Sequence, residues 1–133
     1  MGALREAGAK VVGTDHGHIP DLIIDLTNEE MTRRGAQIAL KHLGGGIDGL
    51  VHCAALTGLG PGRFREGWVA PFEKQSVEAF EYSLRVQAIS SFVLLQELAP
   101  ALKESGHGSV VLLGSIYGMV APFMPLYEGQ PYT

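Results

Sequence analysis

The sequence predicts an α/β fold built on a doubly wound parallel sheet. Two observations support this prediction: short apolar runs alternate with longer amphipathic stretches, and within each run the apolar residues are consecutive. Consecutive apolar residues are expected of parallel strands that are covered by helices on both faces. Right-handed crossovers then place the helices on both sides of one sheet. We expect residues 1–133 to form one partial domain, because 133 residues are few for a complete domain of this class with a substrate pocket.

The predicted helices are bounded by capping residues. The second helix has Thr27 or Asn28 as its N-cap and the acidic Glu29 and Glu30 in its first turn, and three glycines follow it. The third is long, has Ser76 as its N-cap, and shows a periodicity that predicts one buried face. The predicted strands are residues 10–14, 21–25, 48–54 and 109–114, and the predicted helices are residues 3–6, 29–43 and 76–104. The predicted face of the third helix consists of Phe80, Leu84, Ala88, Ser91, Leu95 and Leu98.

Composition and charge argue against several classes of partner. Ten basic and fourteen acidic side chains give a net charge of −4, and no basic stripe is present, so we expect no nucleic-acid partner. The apolar runs are too short to cross a bilayer and no signal peptide is recognisable, so we expect a cytoplasmic protein with no membrane partner. The single cysteine, Cys53, agrees with a reducing compartment, and the five histidines show no metal spacing.

Five local patterns carry the functional information. They are Leu-Arg-Glu-Ala-Gly-Ala-Lys-Val-Val-Gly-Thr-Asp at 4–15, Asp-Leu-Thr at 25–27, Leu-Val-His-Cys-Ala-Ala at 50–55, Arg-Val-Gln-Ala-Ile-Ser-Ser-Phe at 85–92, and Gly-Ser-Val-Val-Leu-Leu-Gly-Ser-Ile-Tyr-Gly at 108–118. Their order and spacing resemble the short-chain dehydrogenase/reductase family, and they cover nearly the whole chain. The resemblance implies a Rossmann-like NAD(P)-binding fold.

The resemblance assigns the adenosine end of the cofactor to the first two patterns. Asp15 closes a strand where a carboxylate would accept hydrogen bonds from the ribose hydroxyls and repel a 2′-phosphate, which favours NAD over NADP. Asp25 and Leu26 would lie beside the adenine. The alternatives are a turn beginning at Asp15, and an N-cap role for the segment 25–27.

The third pattern departs from the family. His52 and Cys53 stand where the family has two asparagines, and Ala55 replaces a glycine. The resemblance still implies that Cys53, Ala54 and Ala55 let the backbone approach the cofactor closely. We interpret His52 as positional and Cys53 as a small, buried apolar residue that is not a nucleophile.

The last two patterns concern catalysis. Ser115 corresponds to the family's serine that hydrogen-bonds the oxygen of the substrate, a stabilisation of developing charge. Its alternative role is that of a turn serine after a strand. Gln87 stands in place of the family's active-site asparagine, at a helical kink, and its side chain is one methylene longer.

Two elements of the family's machinery are absent from the sequence. The catalytic Tyr-x-x-x-Lys pair is not found, because Tyr117 is followed at that offset by Ala121, and Tyr127 by Pro131. No spaced-glycine phosphate loop precedes a helix, since the glycines at 58–62 stand in the wrong place. In the strand order 3-2-1-4-5-6, the first strand would lie between the strands predicted at 10–14 and at 48–54. We therefore expect an incomplete sheet that lacks its first strand and the C-terminal part.

Three hypotheses for function remain open. The first is an NAD(P)-dependent oxidoreductase that transfers a hydride at the hydroxyl or ketone carbon of a small alcohol or ketone; it would form homo-oligomers when intact and be inactive as the 133-residue chain alone. The second is an extended-type epimerase or dehydratase of nucleotide sugars, suggested by residues 52–55 and 115–118. The third is a non-catalytic, truncated remnant or a module that binds a partner through unpaired sheet edges.

Overall fold

The computed structural model describes residues 2–15, 21–56 and 71–129, so the glycines at 58–62 lie outside the described residues. The described elements follow one another as helices and short strands. The helices and strands are α1 (Gly2–Glu6), β1 (Thr14–Asp15), β2 (Leu22–Ile23), α2 (Glu29–Leu43), β3 (Gly49–His52), α3 (Val77–Leu84), a π-helical segment (Arg85–Ile89), α4 (Ser90–Glu104) and β4 (Ser109–Leu112). Short 3₁₀ turns lie at Phe72–Lys74, Ile116–Gly118 and Met124–Tyr127.

The strands pair in parallel, as predicted, but in two separate sheets. In the first sheet Thr14 of β1 lies beside Leu22 of β2. In the second, β3 and β4 run side by side from Gly49 beside Ser109 to His52 beside Leu112. Within the described residues no strand joins the two pairs. The predicted α/β class with an incomplete parallel sheet is therefore confirmed.

In the segment predicted as a strand at 10–14, regular pairing starts late. The Gly13 amide donates to the Asp21 side chain instead of to a backbone carbonyl. The Asp21 carboxylate accepts from the Gly13 amide at 2.7 Å and from the Arg5 guanidinium at 2.5 Å, and Arg5 also donates to the carbonyl of Val11. The Gly13 amide is the main cause that lowers the pKa of Asp21, and Arg5 adds to it. Regular strand pairing consequently begins only at Thr14.

Helix α2 has the predicted bounds because its caps are strong. The Asn28 carboxamide oxygen accepts from the amide of Met31 at 3.0 Å, which makes Asn28 rather than Thr27 the N-cap. At the other end Gly44 adopts a left-handed conformation with φ 97°, which a residue with a Cβ rarely adopts. The two caps fix both the start and the end of α2.

The core lies where α2 packs against α4. Ala36, Leu98 and Leu102 are buried together at this contact. Partly buried residues surround them: Leu40, Ile47, Leu50 and Leu94. On another face of α2, the side chain of Ile24 fills the space above Gly35, where an added Cβ would lie 2.2 Å from Ile24 Cδ1. The absence of a side chain at position 35 therefore lets β2 lie close against α2.

The buried face of the long helix differs from the prediction. Ser76 is the N-cap, as predicted, and accepts from the amide of Ala79 at 3.1 Å. Of the predicted face, however, only Leu98 is fully buried, whereas Phe80 is 56% exposed. The buried residues are Ala79, Ser83, Ser90, Val93, Leu98 and Leu102. The prediction was wrong because it assumed regular α-helical spacing throughout, whereas the helix contains a π segment and buries Ser83 and Ser90, which lay outside the predicted face.

Candidate functional site

The carboxyl ends of β3 and β4 form one edge of the second sheet. The amide of Leu113 donates to the carbonyl of His52 at 3.0 Å, so the pairing extends to the last residue of β3. Because β3 and β4 are parallel, their carboxyl ends lie at the same end of the sheet. The segment 53–55 and Ser115 therefore follow neighbouring strand ends, which is where ligands bind in open α/β sheets.

Ser115 begins the turn that follows β4. Its backbone is extended, with φ −124° and ψ 147°, and its hydroxyl oxygen accepts from the amide of Tyr117 at 3.2 Å. The carbonyl of Ser115 accepts from the amide of Gly118, which closes a 3₁₀ turn. A hydroxyl that accepts at its oxygen can still donate its hydrogen. The turn role and the role toward a substrate oxygen are therefore compatible.

Cys53 is exposed, which corrects the interpretation that it is buried. Successive side chains of a strand point to opposite faces of the sheet. His52 is buried beneath α4, so the next side chain lies on the other face, where no described element covers it. Ala54 is half-buried and Ala55 is exposed, so the small side chains after β3 are accessible at this edge.

His52 makes a buried contact with the long helix. Its side chain is 7% exposed, and its Nε2 lies 2.9 Å from the hydroxyl oxygen of Ser90. Burial lowers the pKa of His52, which favours the neutral imidazole near neutral pH. The interpretation of His52 as a positional residue agrees with this environment.

Gln87 lies within the π segment, at the position where the resemblance implies a helical kink. Its side-chain amide nitrogen donates to the hydroxyl of the buried Ser83 at 2.8 Å, one turn earlier. Ser83 and Ser90 were not predicted as site residues. A signal was available in the sequence, because a histidine inside an apolar strand needs a polar partner, and serines spaced by seven residues lie on one side of a helix.

The residues predicted to bind adenosine lie at the ends of the other sheet. Asp15 is exposed at the end of β1, and its carbonyl accepts from the amide of Ile24. The Asp25 carboxylate accepts from both the amide and the hydroxyl of Thr27, at 2.9 and 2.7 Å. Leu26, inside this turn, is half-buried. The structure thus groups Asp15, Asp25 and Leu26 on one sheet, and the segment 53–55 and Ser115 on the other.

The described ranges 2–15, 21–56 and 71–129 offer no cluster of metal ligands and no membrane-spanning helix. Within them, no three histidine, cysteine, aspartate or glutamate side chains lie close enough to hold a metal ion. None of the helices in these ranges is both long enough and apolar enough to span a bilayer.

A comparison with models of protein families shows to which family the chain is related. The model of the short chain dehydrogenase family matches residues 3–130. The chain belongs to this family. The match covers all five patterns described above, so the resemblance stated from the sequence is confirmed.

Solved structures of short chain dehydrogenases have the same fold. The chain is similar to an oxidoreductase of Brucella ovis, with 21% identity, a TM-score of 0.72 and coverage of 91% of this chain and 56% of that one. It is similar to an oxidoreductase of Brucella ovis in complex with a partially ordered NAD, with 19% identity, a TM-score of 0.73 and coverage of 91% and 58%. A third is a short-chain dehydrogenase of Streptomyces avermitilis, with 24% identity, a TM-score of 0.72 and coverage of 90% and 45%. The chain thus spans about half the length of these proteins.

The family raises the question of whether the strand ends fit a nicotinamide cofactor. After β3 the side chains are small, and those of Cys53 and Ala55 are exposed, so the backbone can be approached closely. The exposed carboxylate of Asp15 suits hydroxyl groups rather than a phosphate. Both observations fit the cofactor that the resemblance implies.

Proposed function

We propose that this chain is part of a cytoplasmic NAD-dependent oxidoreductase that acts on the hydroxyl or ketone carbon of a small alcohol or ketone. The observation that carries the proposal is the parallel pairing of β3 with β4, from which the segment 53–55 and Ser115 leave the sheet at one edge. When bound, NAD supplies the group that accepts or donates the hydride.

In this proposal the chain binds the two ends of the cofactor with different sheets. Asp15 accepts hydrogen bonds from the ribose hydroxyls of the adenosine, and its charge repels a 2′-phosphate. Asp25 and Leu26 lie beside the adenine. The small side chains of Cys53, Ala54 and Ala55 leave room for the cofactor against the end of β3.

Ser115 orients the substrate in this proposal. Its hydroxyl oxygen accepts from the amide of Tyr117, which restricts rotation of the side chain and leaves its hydrogen for donation. Donation to the substrate oxygen stabilises the negative charge that develops there during hydride transfer. The 133 residues contain no Tyr-x-x-x-Lys pair, so we expect no turnover by this chain alone.

The binding part of the proposal is tested by nuclear magnetic resonance of the labelled chain titrated with NAD. We expect a dissociation constant weaker than about 1 mM, because no phosphate loop contributes the usual share of the affinity. The shifted resonances should lie at Asp15, the segment 53–55 and Ser115. Asp15→Asn should weaken the shifts, whereas Asp48→Asn, at the opposite end of β3, should not. Shifts confined to the Asp48 edge, or no shifts at tens of millimolar NAD, would argue against the proposal.

The catalytic part is tested in a chimera that adds the flanking segments of the NAD-bound Brucella ovis oxidoreductase to both ends of this chain. We expect NAD-dependent oxidation of a secondary alcohol from a substrate panel. Ser115→Ala should lower kcat/KM by about 10²- to 10³-fold. Ser109→Ala, at the opposite end of β4, should leave the rate near that of the parent. Equal rates for the two variants would remove Ser115 from the proposed mechanism.

A further inference from the structure

At the end of the π segment, Ser90 makes two hydrogen bonds that differ from those of a regular α-helix. The amide of Ser90 donates to the carbonyl of Arg85, five residues earlier, instead of to that of Val86, four residues earlier. The hydroxyl of the same Ser90 donates to the Val86 carbonyl at 2.6 Å. The side chain of Ser90 therefore replaces its own backbone amide as the partner of Val86.

This arrangement determines the role of His52. A carbonyl cannot donate, so the single hydroxyl hydrogen of Ser90 is committed to Val86. The 2.9 Å contact between His52 Nε2 and the Ser90 oxygen is consequently a hydrogen bond that the imidazole donates. In this arrangement His52 carries a hydrogen on Nε2. Both side chains are buried, Ser90 at 1% exposure, so competition from solvent is small.

The register of this segment determines which faces of the long helix are buried. One residue of α-helix corresponds to a rotation of about 100° and a rise of about 1.5 Å. Ala79 and Ser83 are buried before the π segment, and Val93 and Leu98 after it. A return to α-helical register would rotate one half relative to the other and expose one of these pairs. It would also reorient Gln87, whose side chain is bonded to Ser83.

We propose that His52 and Ser90 form a positioning pair that holds residues 85–89, and with them the backbone at Gln87, in the π register. Its relevance to catalysis rests on the proposed function. The pair itself is a property of this chain without any ligand. In this proposal, β3 fixes the register of the long helix through one imidazole and one hydroxyl.

The test measures the register directly in the ligand-free, isotopically labelled chain. Couplings across hydrogen bonds identify the carbonyl to which the Ser90 amide donates, and this should be Arg85 in the parent. In Ser90→Ala we expect the Arg85 coupling to be lost and the amides of residues 89–91 to exchange about tenfold faster. Ser90→Thr keeps the hydroxyl and should retain the coupling.

A neighbouring serine provides the matched control. Ser91 also donates its hydroxyl to a helix carbonyl, that of Ala88 at 2.8 Å, but it is not bonded to His52. Ser91→Ala should therefore keep the Arg85 coupling and the slow exchange. A Ser90→Ala chain that retains both would overturn the proposal.

A second measurement covers the case in which Ser90→Ala does not fold. Nitrogen shifts of the parent imidazole report which ring nitrogen carries the hydrogen, and we expect Nε2. Hydrogen on Nδ1 alone would overturn the proposal without any variant. Neither measurement involves NAD, so a positive result together with a failed NAD titration would reject the proposed function and leave the positioning pair in place.

Discussion

Gly108 provides a sharp test of how the long helix is joined to β4. This residue precedes β4, and a Cβ added to it would lie 2.3 Å from the carbonyl oxygen and 2.9 Å from the carbonyl carbon of Leu102. Leu102 belongs to the buried core, and the colliding atoms are backbone, so no side-chain rotation can relieve the overlap. Gly108→Ala must therefore displace either the last turn of α4 or the start of β4.

The size of the effect follows from two opposing contributions. Overpacking a well-packed site costs about 1–3 kcal/mol, and a backbone collision belongs at the upper end. Replacing glycine by alanine also reduces the entropy of the unfolded chain, which offsets about 0.4–1 kcal/mol. We expect Gly108→Ala to lower the free energy of unfolding by about 2 kcal/mol. With a urea slope of about 1.5 kcal/mol per molar, the midpoint falls by about 1.3 M.

Equilibrium unfolding in urea, followed by circular dichroism, measures this change. Gly49→Ala is the matched control, because Gly49 begins the neighbouring strand and its nearest contact to an added Cβ is the Ser109 carbonyl oxygen at 3.9 Å. We expect that variant to stay within about 0.5 kcal/mol of the parent. If Gly108→Ala also stays within that range, the close packing of α4 on the start of β4 is refuted.

Three further predictions concern the pH dependence of stability and the ends of α2. Since the pKa of buried His52 lies below its ordinary value of 6.5, the unfolded chain takes up a proton there first, and the free energy of unfolding should fall as the pH drops below 6.5. Urea midpoints across this range should show a smaller fall in His52→Gln than in the parent chain; equal falls in the two would contradict the assignment. Asn28→Ala should lower the free energy of unfolding, measured by thermal unfolding, by about 1 kcal/mol, and Asn28→Ser should restore most of it. An unchanged free energy of unfolding in the alanine variant would exclude the cap. Gly44→Ala should lower the free energy of unfolding by about 1 kcal/mol because the backbone at position 44 is left-handed, with φ 97°. An equally large decrease in Gly46→Ala would point to another cause.

The elements that could be predicted from the sequence are those determined by local chemistry. The bounds of α2 followed from a capping residue at Thr27 or Asn28, two acidic residues in the first turn and glycines at the end, all within the helix or next to it. Parallel pairing followed from the continuous apolar runs at 48–54 and 109–114. The length of β1 did not follow, because it depends on Asp21, whose side chain bonds to a backbone amide eight residues earlier.

The long helix shows why its interior could not be predicted. A search for apolar periodicity assumes 3.6 residues per turn throughout, and one π segment shifts the face that follows it. Ser83 and Ser90 contribute no apolar signal, although both are buried. The partner of Ser90 is His52, thirty-eight residues away, so the contact depends on the packing of α4 against β3.

The sequence predicted that the candidate site residues follow strands, and the structure places Asp15 and Ser115 at or after strand ends; their exposure did not follow from the sequence. The patterns containing Asp15 and Ser115 end in predicted strands, and ligands of open α/β sheets bind at the carboxyl ends of the strands, so both residues stay candidates. The exposure of Cys53 was not foreseen, because its face depends on which side of β3 the long helix covers. Local sequence does not encode that choice.

The packing of helix α2 bears on the proposed binding of the cofactor. This helix packs against α4 on one side and β2 on another, and Ile24 over Gly35 provides the second contact. Helix α2 therefore contacts both a strand of the first sheet and the helix that packs on the second. If NAD binds across both sheets as proposed, a change such as Ala36→Val, which touches no ligand, is expected to shift the strand ends and alter the affinity for NAD. A screen for altered NAD affinity is thus expected to return core positions of α2 as well as positions at the strand ends.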